Sequence, residues 1–211
     1  MITRLIYGAN SPIASQLSQL IVQKNPNDKL ITISRGNLNV SSNVHTHFIV
    51  DGSTEVPFEE LISKNSNAIG LVNTLIFFPS EWGNDSKLTN DRLLDFLDTG
   101  PKKFLDAINS LMKNELINDE SILISIGSIA EAHRFSTDNI SYSIAKSMQK
   151  NICDKLIGSE GLKLSHITCG SIANNGVNVG DFLNTINYLE NSSKNAFIPN
   201  IEIYGKCDIK K

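Results

Sequence analysis

Thr3-Arg4-Leu5-Ile6-Tyr7-Gly8-Ala9-Asn10-Ser11-Pro12-Ile13-Ala14 is the stretch on which the fold turns. Its first five residues form a short, largely apolar run of the kind that enters a buried strand. Gly8 ends the run. Ser11 is a good helix N-cap, and Pro12 suits the first helical position, where its missing N–H would be unpaired in any case. A buried strand, a tight turn and the start of a helix therefore follow one another directly.

The same alternation continues along the chain. Further strand-like runs are Lys29–Ser34, His45–Val50, Leu71–Phe78, Ser121–Ile126, Ser165–Cys169 and Ile201–Tyr204. Most are continuously apolar rather than alternating, as expected of parallel strands covered on both faces. Helical patterns fall between them, at Ser11–Gln23, Phe58–Lys64, Asn90–Asn114, Ile140–Gly158 and Gly180–Asn191. The third contains Gly100-Pro101, so it is either two helices or one strongly kinked helix. Strands separated by helices predict right-handed βαβ units in one α/β domain over residues 1–211. The expected form is a Rossmann-type doubly wound, mostly parallel sheet of about seven strands with helices on both faces.

Composition narrows the function. Of 211 residues, 40% are hydrophobic and 19% charged, too apolar for a disordered chain. The formal net charge of -3 supplies no basic field for nucleic-acid phosphates, so DNA or RNA binding is not expected. The longest apolar stretch, Ala68–Phe78, falls short of the ~20 residues needed to span a membrane. Residues Met1–Gly8 reach a glycine before a secretory apolar region could form. Cys153, Cys169 and Cys207 show no metal-ligand or disulfide spacing, and the four histidines show no ligand spacing either. The expectation is a cytoplasmic protein without a metal site.

A glycine leaving the first strand, followed directly by a helix N-terminus, is where this architecture places a dinucleotide pyrophosphate, because free N–H groups and the positive helix end face the anion. Only Gly8 remains of the three glycines of a G-x-G-x-x-G pattern, so an ordinary βα turn stays open as a reading. The second strand ends in Ser34-Arg35-Gly36. An acid at this point would bind a free ribose 2′-OH, whereas an arginine suits a 2′-phosphate.

The chemistry-bearing residues lie in the second half. Ile122–Ile126 leads into Gly127-Ser128, and a loop then reaches Tyr142-Ser143-Ile144-Ala145-Lys146. The i, i+4 spacing puts Tyr142 and Lys146 on one helix face. A cation there favours the phenolate, which makes Tyr142 a candidate general acid. Ser128, at a strand end, can donate to a carbonyl oxygen as charge develops on it.

With these residues in view, the chain resembles the short-chain dehydrogenase/reductase family over nearly its whole length. The family's glycine-rich turn matches Gly8–Ala14, its serine Ser128, and its Tyr-x-x-x-Lys Tyr142 and Lys146. Its Pro-Gly-x-Ile-x-Thr segment matches Cys169-Gly170-Ser171-Ile172-Ala173-Asn174. The resemblance implies catalytic Ser128, Tyr142 and Lys146. It also implies a cofactor site built from Gly8, Asn10, Ser11, Ile13, Ser34, Arg35, Asp51, Phe78, Tyr142, Lys146, Gly170 and Ile172. The expected activity is an NAD(P)-dependent carbonyl reductase with NADP(H) preferred over NAD(H), acting on a small carbonyl or alcohol as a homodimer or homotetramer. The alternative is a dinucleotide-binding protein without catalysis.

Some positions depart from the family pattern. Pro12 and Ala14 replace two glycines, and Phe77-Phe78-Pro79-Ser80 replaces Asn-Asn-Ala-Gly. The family's helix asparagine aligns near Leu97-Asp98, where this chain has none. The step from Ser128 to Tyr142 is one residue longer than usual, and the segment from Asn174 to Asp181 is too short for a helical substrate lid. Trp82 is read either as a pocket wall or as a surface anchor.

Overall fold

A computed structural model describes residues 1–38, 40, 42–50, 58–80, 85, 87–131, 139–157, 162–171, 176–192, 198–206 and 208. Seven strands form one sheet: β1 (Thr3–Tyr7), β2 (Lys29–Ser34), β3 (His45–Ile49), β4 (Thr74–Phe77), β5 (Ile122–Ile126), β6 (Lys163–Cys169) and β7 (Asn200–Ile203). Their order is β3-β2-β1-β4-β5-β6-β7, and every neighbouring pair is parallel. The chain order reverses beside β1, so the β1–α1 turn and the end of β4 meet at the switch point where such sheets bind ligands.

The continuously apolar runs divide by period two. Leu5, Tyr7, Ile31, Ile33, Leu75, Phe77, Leu123 and Leu164 face a core closed by α2 (Phe58–Ile69) and α4 (Lys103–Lys113). Ile6, Leu30, Ile76, Ile124 and Ile167 face the opposite core, closed by α1 (Pro12–Lys24) and α6 (Val179–Glu190). Both faces are therefore dry, which explains why polar alternation is missing from the strand sequences.

Caps set the helix ends. The Ser11 side chain accepts from Ala14 N at 3.3 Å, with Pro12 beside it, as the turn sequence predicts. At α6, Asn178 and Asp181 form a reciprocal capping box. The α2 helix runs five residues beyond the expected Lys64, to Ile69, because Leu61, Ile62 and Ile69 share the buried stripe.

The third helical pattern is neither two separate helices nor a sharp break. Helix α3 (Asn90–Leu97) passes through a π-helical turn, Asp98–Lys102, into α4. Pro101 has no N–H to give to an α-helical bond, and the wider turn lets both Gly100 and Pro101 sit buried. Helix α5 (Ile140–Leu156) packs against α3 and this turn.

At the far end of the sheet, Arg4 is buried between two acids. It donates to Asp28 at 2.8 Å and through two nitrogens to Glu190 at 2.6 and 2.8 Å. Thr74 adds a bond to Glu190 at 2.7 Å, so β1, β4, α6 and the turn before β2 are tied together. This end is structural; the other end carries the candidate site.

Candidate active site

The site lies beyond the C-terminal ends of β1, β2, β4, β5 and β6. At its floor Gly8 has φ +84, and a Cβ there would meet the Pro79 ring and nitrogen at 2.9 Å. Glycine is required on both counts: the left-handed backbone, and the close approach of the segment after β4. The N–H groups of Gly8 and Ala9 both reach Ile33 O, at 2.8 and 3.2 Å, which locks the turn to the end of β2. The first-turn N–H of Ile13 has no acceptor within α1, and that helix end points its positive pole toward the switch point.

The remaining expected cofactor residues distribute as follows. Asn10 is exposed and Ser11 half-buried at the mouth of the turn, whereas the Ile13 and Phe78 side chains pack into the α1–α6 core. Arg35 is exposed at the end of β2. Ser34 is buried, and its hydroxyl donates to Gly36 O at 2.7 Å, so its proton is turned inward rather than outward. Gly170 closes against the C-terminal tail: its N–H reaches Ile203 O at 2.8 Å, and a Cβ would strike Asp208 Oδ2 at 2.2 Å. Asp51, Ile172 and Trp82 lie outside the described residues.

Tyr142, Lys146 and Ser128 come together. Tyr142 and Lys146 both lie on the buried face of α5, with Ser141, Ala145, Gln149 and Cys153. The hydroxyls of Ser128 and Ser80 act on the Tyr142 hydroxyl and favour its ionised form, and its ring meets Phe96 edge-on at 6.3 Å. Lys146 Nζ donates to Ile126 O at 2.8 Å and stands 5.9 Å from the Tyr142 ring centre. Burial raises the Tyr142 pKa, and the bonds from Ser128 and Ser80 only partly offset this. The net shift is therefore upward, against the lowering that the spacing of Tyr142 and Lys146 predicts. Burial also pulls Lys146 down to about 8, because its described bonding partner is a carbonyl rather than a carboxylate.

Three polar residues that sequence reasoning passed over hold this group in place. The Asp85 carboxylate accepts from Ser141 N at 3.0 Å and from the Ser141 hydroxyl, which caps α5 one residue before Tyr142. Glu131, in a 3-10 turn (Ile129–Glu131), accepts from Ser128 N at 3.4 Å, from His166 Nε2 at 3.0 Å and from Thr168. His166 is fully buried, and its other nitrogen faces Ser125 Oγ at 3.2 Å, which in turn accepts from Gln149 at 2.6 Å. Burial alone would raise the Glu131 pKa, but the bonds from His166, Thr168 and Ser128 hold it below the usual carboxylate value. A signal for Glu131 exists in Ser128-Ile129-Ala130-Glu131, which has the S-x-x-E capping spacing. Asp85 and His166 have none, because their partners are distant in sequence.

No family model matches the chain, and no curated protein matches it. Solved structures do. Serine dehydrogenase from Escherichia coli superposes with a TM-score of 0.81 at 12% identity, over 100% of this chain and 99% of that one. A short-chain dehydrogenase/reductase from Vibrio parahaemolyticus gives 0.74 at 13% identity, over 95% and 98%. One from Serratia marcescens gives 0.79 at 10% identity, covering 96% of each chain. The chain has the short-chain dehydrogenase/reductase fold. At these identities the likeness is one of architecture.

Proposed function

We propose that this protein is an NAD(P)-dependent oxidoreductase that reduces a small ketone or aldehyde, with NADP(H) preferred over NAD(H). The arrangement that carries the reading is Ser128 acting on the Tyr142 hydroxyl with Lys146 buried on the same helix face, at the open end of β5. A dinucleotide fits the residues present. Gly8 gives the close turn, the α1 N-terminus offers N–H groups, and Arg35 stands where no acid would repel a 2′-phosphate.

When bound, the reduced nicotinamide supplies hydride to the carbonyl carbon. The chain's own residues handle the oxygen. Ser128 donates a hydrogen bond to it, and Tyr142 gives it a proton from Oη. Lys146, still largely protonated at neutral pH with a pKa of about 8, compensates the phenolate that this leaves. Ser80 likewise favours the ionised form of the Tyr142 hydroxyl.

Assembly as a homodimer through α3 and α5 belongs to the same reading. The buried face of α5 includes the polar Lys146 and Gln149, while Ile144 and Met148 face outward. Leu94 of α3 is exposed too, and Met148 continues into a groove lined by Leu105, Ile152 and Leu156. Apolar residues on the outer face of a helix whose buried face includes polar groups fit a two-fold helix-on-helix contact. No helix of the described residues is long and apolar enough to cross a membrane.

The deciding experiment follows NADPH and NADH oxidation by wild type and Tyr142→Phe against a panel of ketones, aldehydes and quinones. The variant is expected to fold, to bind dinucleotide and to lose roughly 10²–10⁴-fold in turnover. Undiminished turnover removes Tyr142 from the mechanism. Tight dinucleotide binding without turnover of any carbonyl by wild type favours the non-catalytic alternative.

A further inference from the structure

Thr32 of β2 sits between two imidazoles of the edge strand β3. Its Oγ1 is 2.7 Å from His45 Nε2 and 2.8 Å from His47 Nδ1. The outer nitrogen of each ring faces a backbone carbonyl, His45 Nδ1 at 3.0 Å from Val40 O and His47 Nε2 at 2.9 Å from Gly36 O. A carbonyl can only accept, so both outer nitrogens carry hydrogen. In a neutral ring the inner nitrogen is then a bare lone pair that needs a donor. Thr32 has one hydroxyl hydrogen for two such nitrogens. With both rings neutral, one of the two contacts sets lone pair against lone pair.

One added proton resolves the conflict. The protonated ring donates from both nitrogens, Thr32 accepts from it, and the Thr32 hydroxyl donates to the other ring. A second added proton would place two cations with ring centres 6.2 Å apart and leave the Thr32 hydrogen facing donors on both sides. Burial, together with the neighbouring His47, already lowers the pKa of His45.

The charged groups on the surrounding elements are few. Residues 29–50 contain Lys29, Arg35, His45 and His47 and no carboxylate, and α1, packed on β2, carries only Lys24. Lys29 turns away to the carbonyls of Ala68 and Ile69. Asp28, the acid preceding β2, is committed to Arg4. Among the described residues, the bonds of both imidazoles go to Thr32 and to backbone carbonyls rather than to a carboxylate. His47 also holds Gly36 O, the same atom that Ser34 grips, one residue from exposed Arg35.

We propose that the His45–Thr32–His47 cluster holds a single shared proton, and that this imidazolium acts with Arg35 to select a dinucleotide phosphorylated on its adenosine ribose. The proposal rests on the dinucleotide reading above, and it adds His45 and His47 as specificity-determining residues. A 2′-phosphate stabilises the cluster's proton, so binding takes up protons. The extra affinity is present while the cluster is protonated and disappears as pH rises through its titration. The phosphate's own second ionisation, near ~6, works in the opposite direction, so the histidine contribution is read against a variant at each pH.

Two measurements test this on the full chain. Ring-nitrogen NMR of the ligand-free protein, assigned with His45→Gln and His47→Gln, is expected to show one proton lost from the pair across the titration. Two independent single losses, or none, overturn the shared proton. NADP⁺ and NAD⁺ titrations near pH ~6 and ~8.5 are then compared for wild type and His47→Gln. The variant is expected to weaken NADP⁺ about fivefold at the lower pH only, and to leave NAD⁺ unchanged. Equal effects on both dinucleotides, or a loss that does not follow the NMR titration, overturn the role in specificity. Failure of wild type to bind either dinucleotide overturns the functional reading instead, because the proton count is read without ligand.

Discussion

Glu131 Oε2 and His166 Nε2 face each other at 3.0 Å beneath the turn that carries Ser128. The pair is almost wholly buried, with side-chain exposures of 2% and 0%. It joins the 3-10 turn after β5 to the middle of β6 and accepts the Ser128 N–H as well. The turn that carries the serine of the site is therefore anchored to β6 through this pair.

Removing that carboxylate leaves His166 and Thr168 facing an amide. Glu131→Gln is expected to lower stability by about 2–4 kcal/mol at neutral pH. Because the folded pKa of Glu131 is depressed, its stabilisation is present above the ordinary carboxylate value of 4.5 and fades as pH falls through the folded value. The gap between variant and wild type should therefore narrow below that pH. Urea unfolding at a series of pH values measures it, and a gap that stays constant would remove the charge from the account.

Gly127 is pressed against the same pair. A Cβ at this position would lie 2.2 Å from His166 Nε2 and 2.6 Å from Glu131 Oε2. Gly127→Ala is expected to displace the pair and cost roughly 1–3 kcal/mol, as overpacking usually does. Thermal unfolding checks the cost. The His166 ring resonances should move with it, which a loss of backbone freedom alone would not produce.

Burying Lys146 costs stability. Burial depresses its pKa to about 8, so the folded state binds its proton less tightly than the unfolded chain does. Stability should then rise as pH increases from about 8 toward the unfolded value of 10.5. Lys146→Met removes this dependence and is expected to stabilise the protein at pH ~7 by about 2 kcal/mol while abolishing reduction. Calorimetry over this pH range, beside an activity assay, tests both halves.

The outward apolar face of α5 has its own consequence. Met148→Asp is expected to shift the protein toward monomer while leaving the far-UV spectrum unchanged, since the side chain is 45% exposed in the single chain. Sedimentation velocity distinguishes the species, and an unaltered dimer would place the contact elsewhere.

Much of the fold was legible in sequence because both faces of a parallel sheet are buried. Most of the strands then appear as largely apolar runs, and β1 and β2 have the expected limits, Thr3–Tyr7 and Lys29–Ser34. The β1–α1 turn was equally plain, since Gly8, Ser11 and Pro12 act through their own backbone and nearest neighbours. The i, i+4 pairing of Tyr142 and Lys146 on one face is likewise a property of the helix itself.

Contacts between residues far apart in sequence decided the rest. The π-helical turn at Asp98–Lys102 depends on how α3 and the turn itself pack against α5, and Gly100-Pro101 alone does not distinguish it from a break. The environment of Tyr142 and Lys146 was likewise hidden. Spacing places a cation near a phenol, but burial raises the tyrosine and lowers the lysine. Asp85, Glu131, His166 and the His45–Thr32–His47 cluster show the same division. Local sequence determines where a chain turns, coils or extends, because those preferences act over a few residues. Which polar groups share a buried space, and so which protons they hold, is set only when distant segments exclude water together.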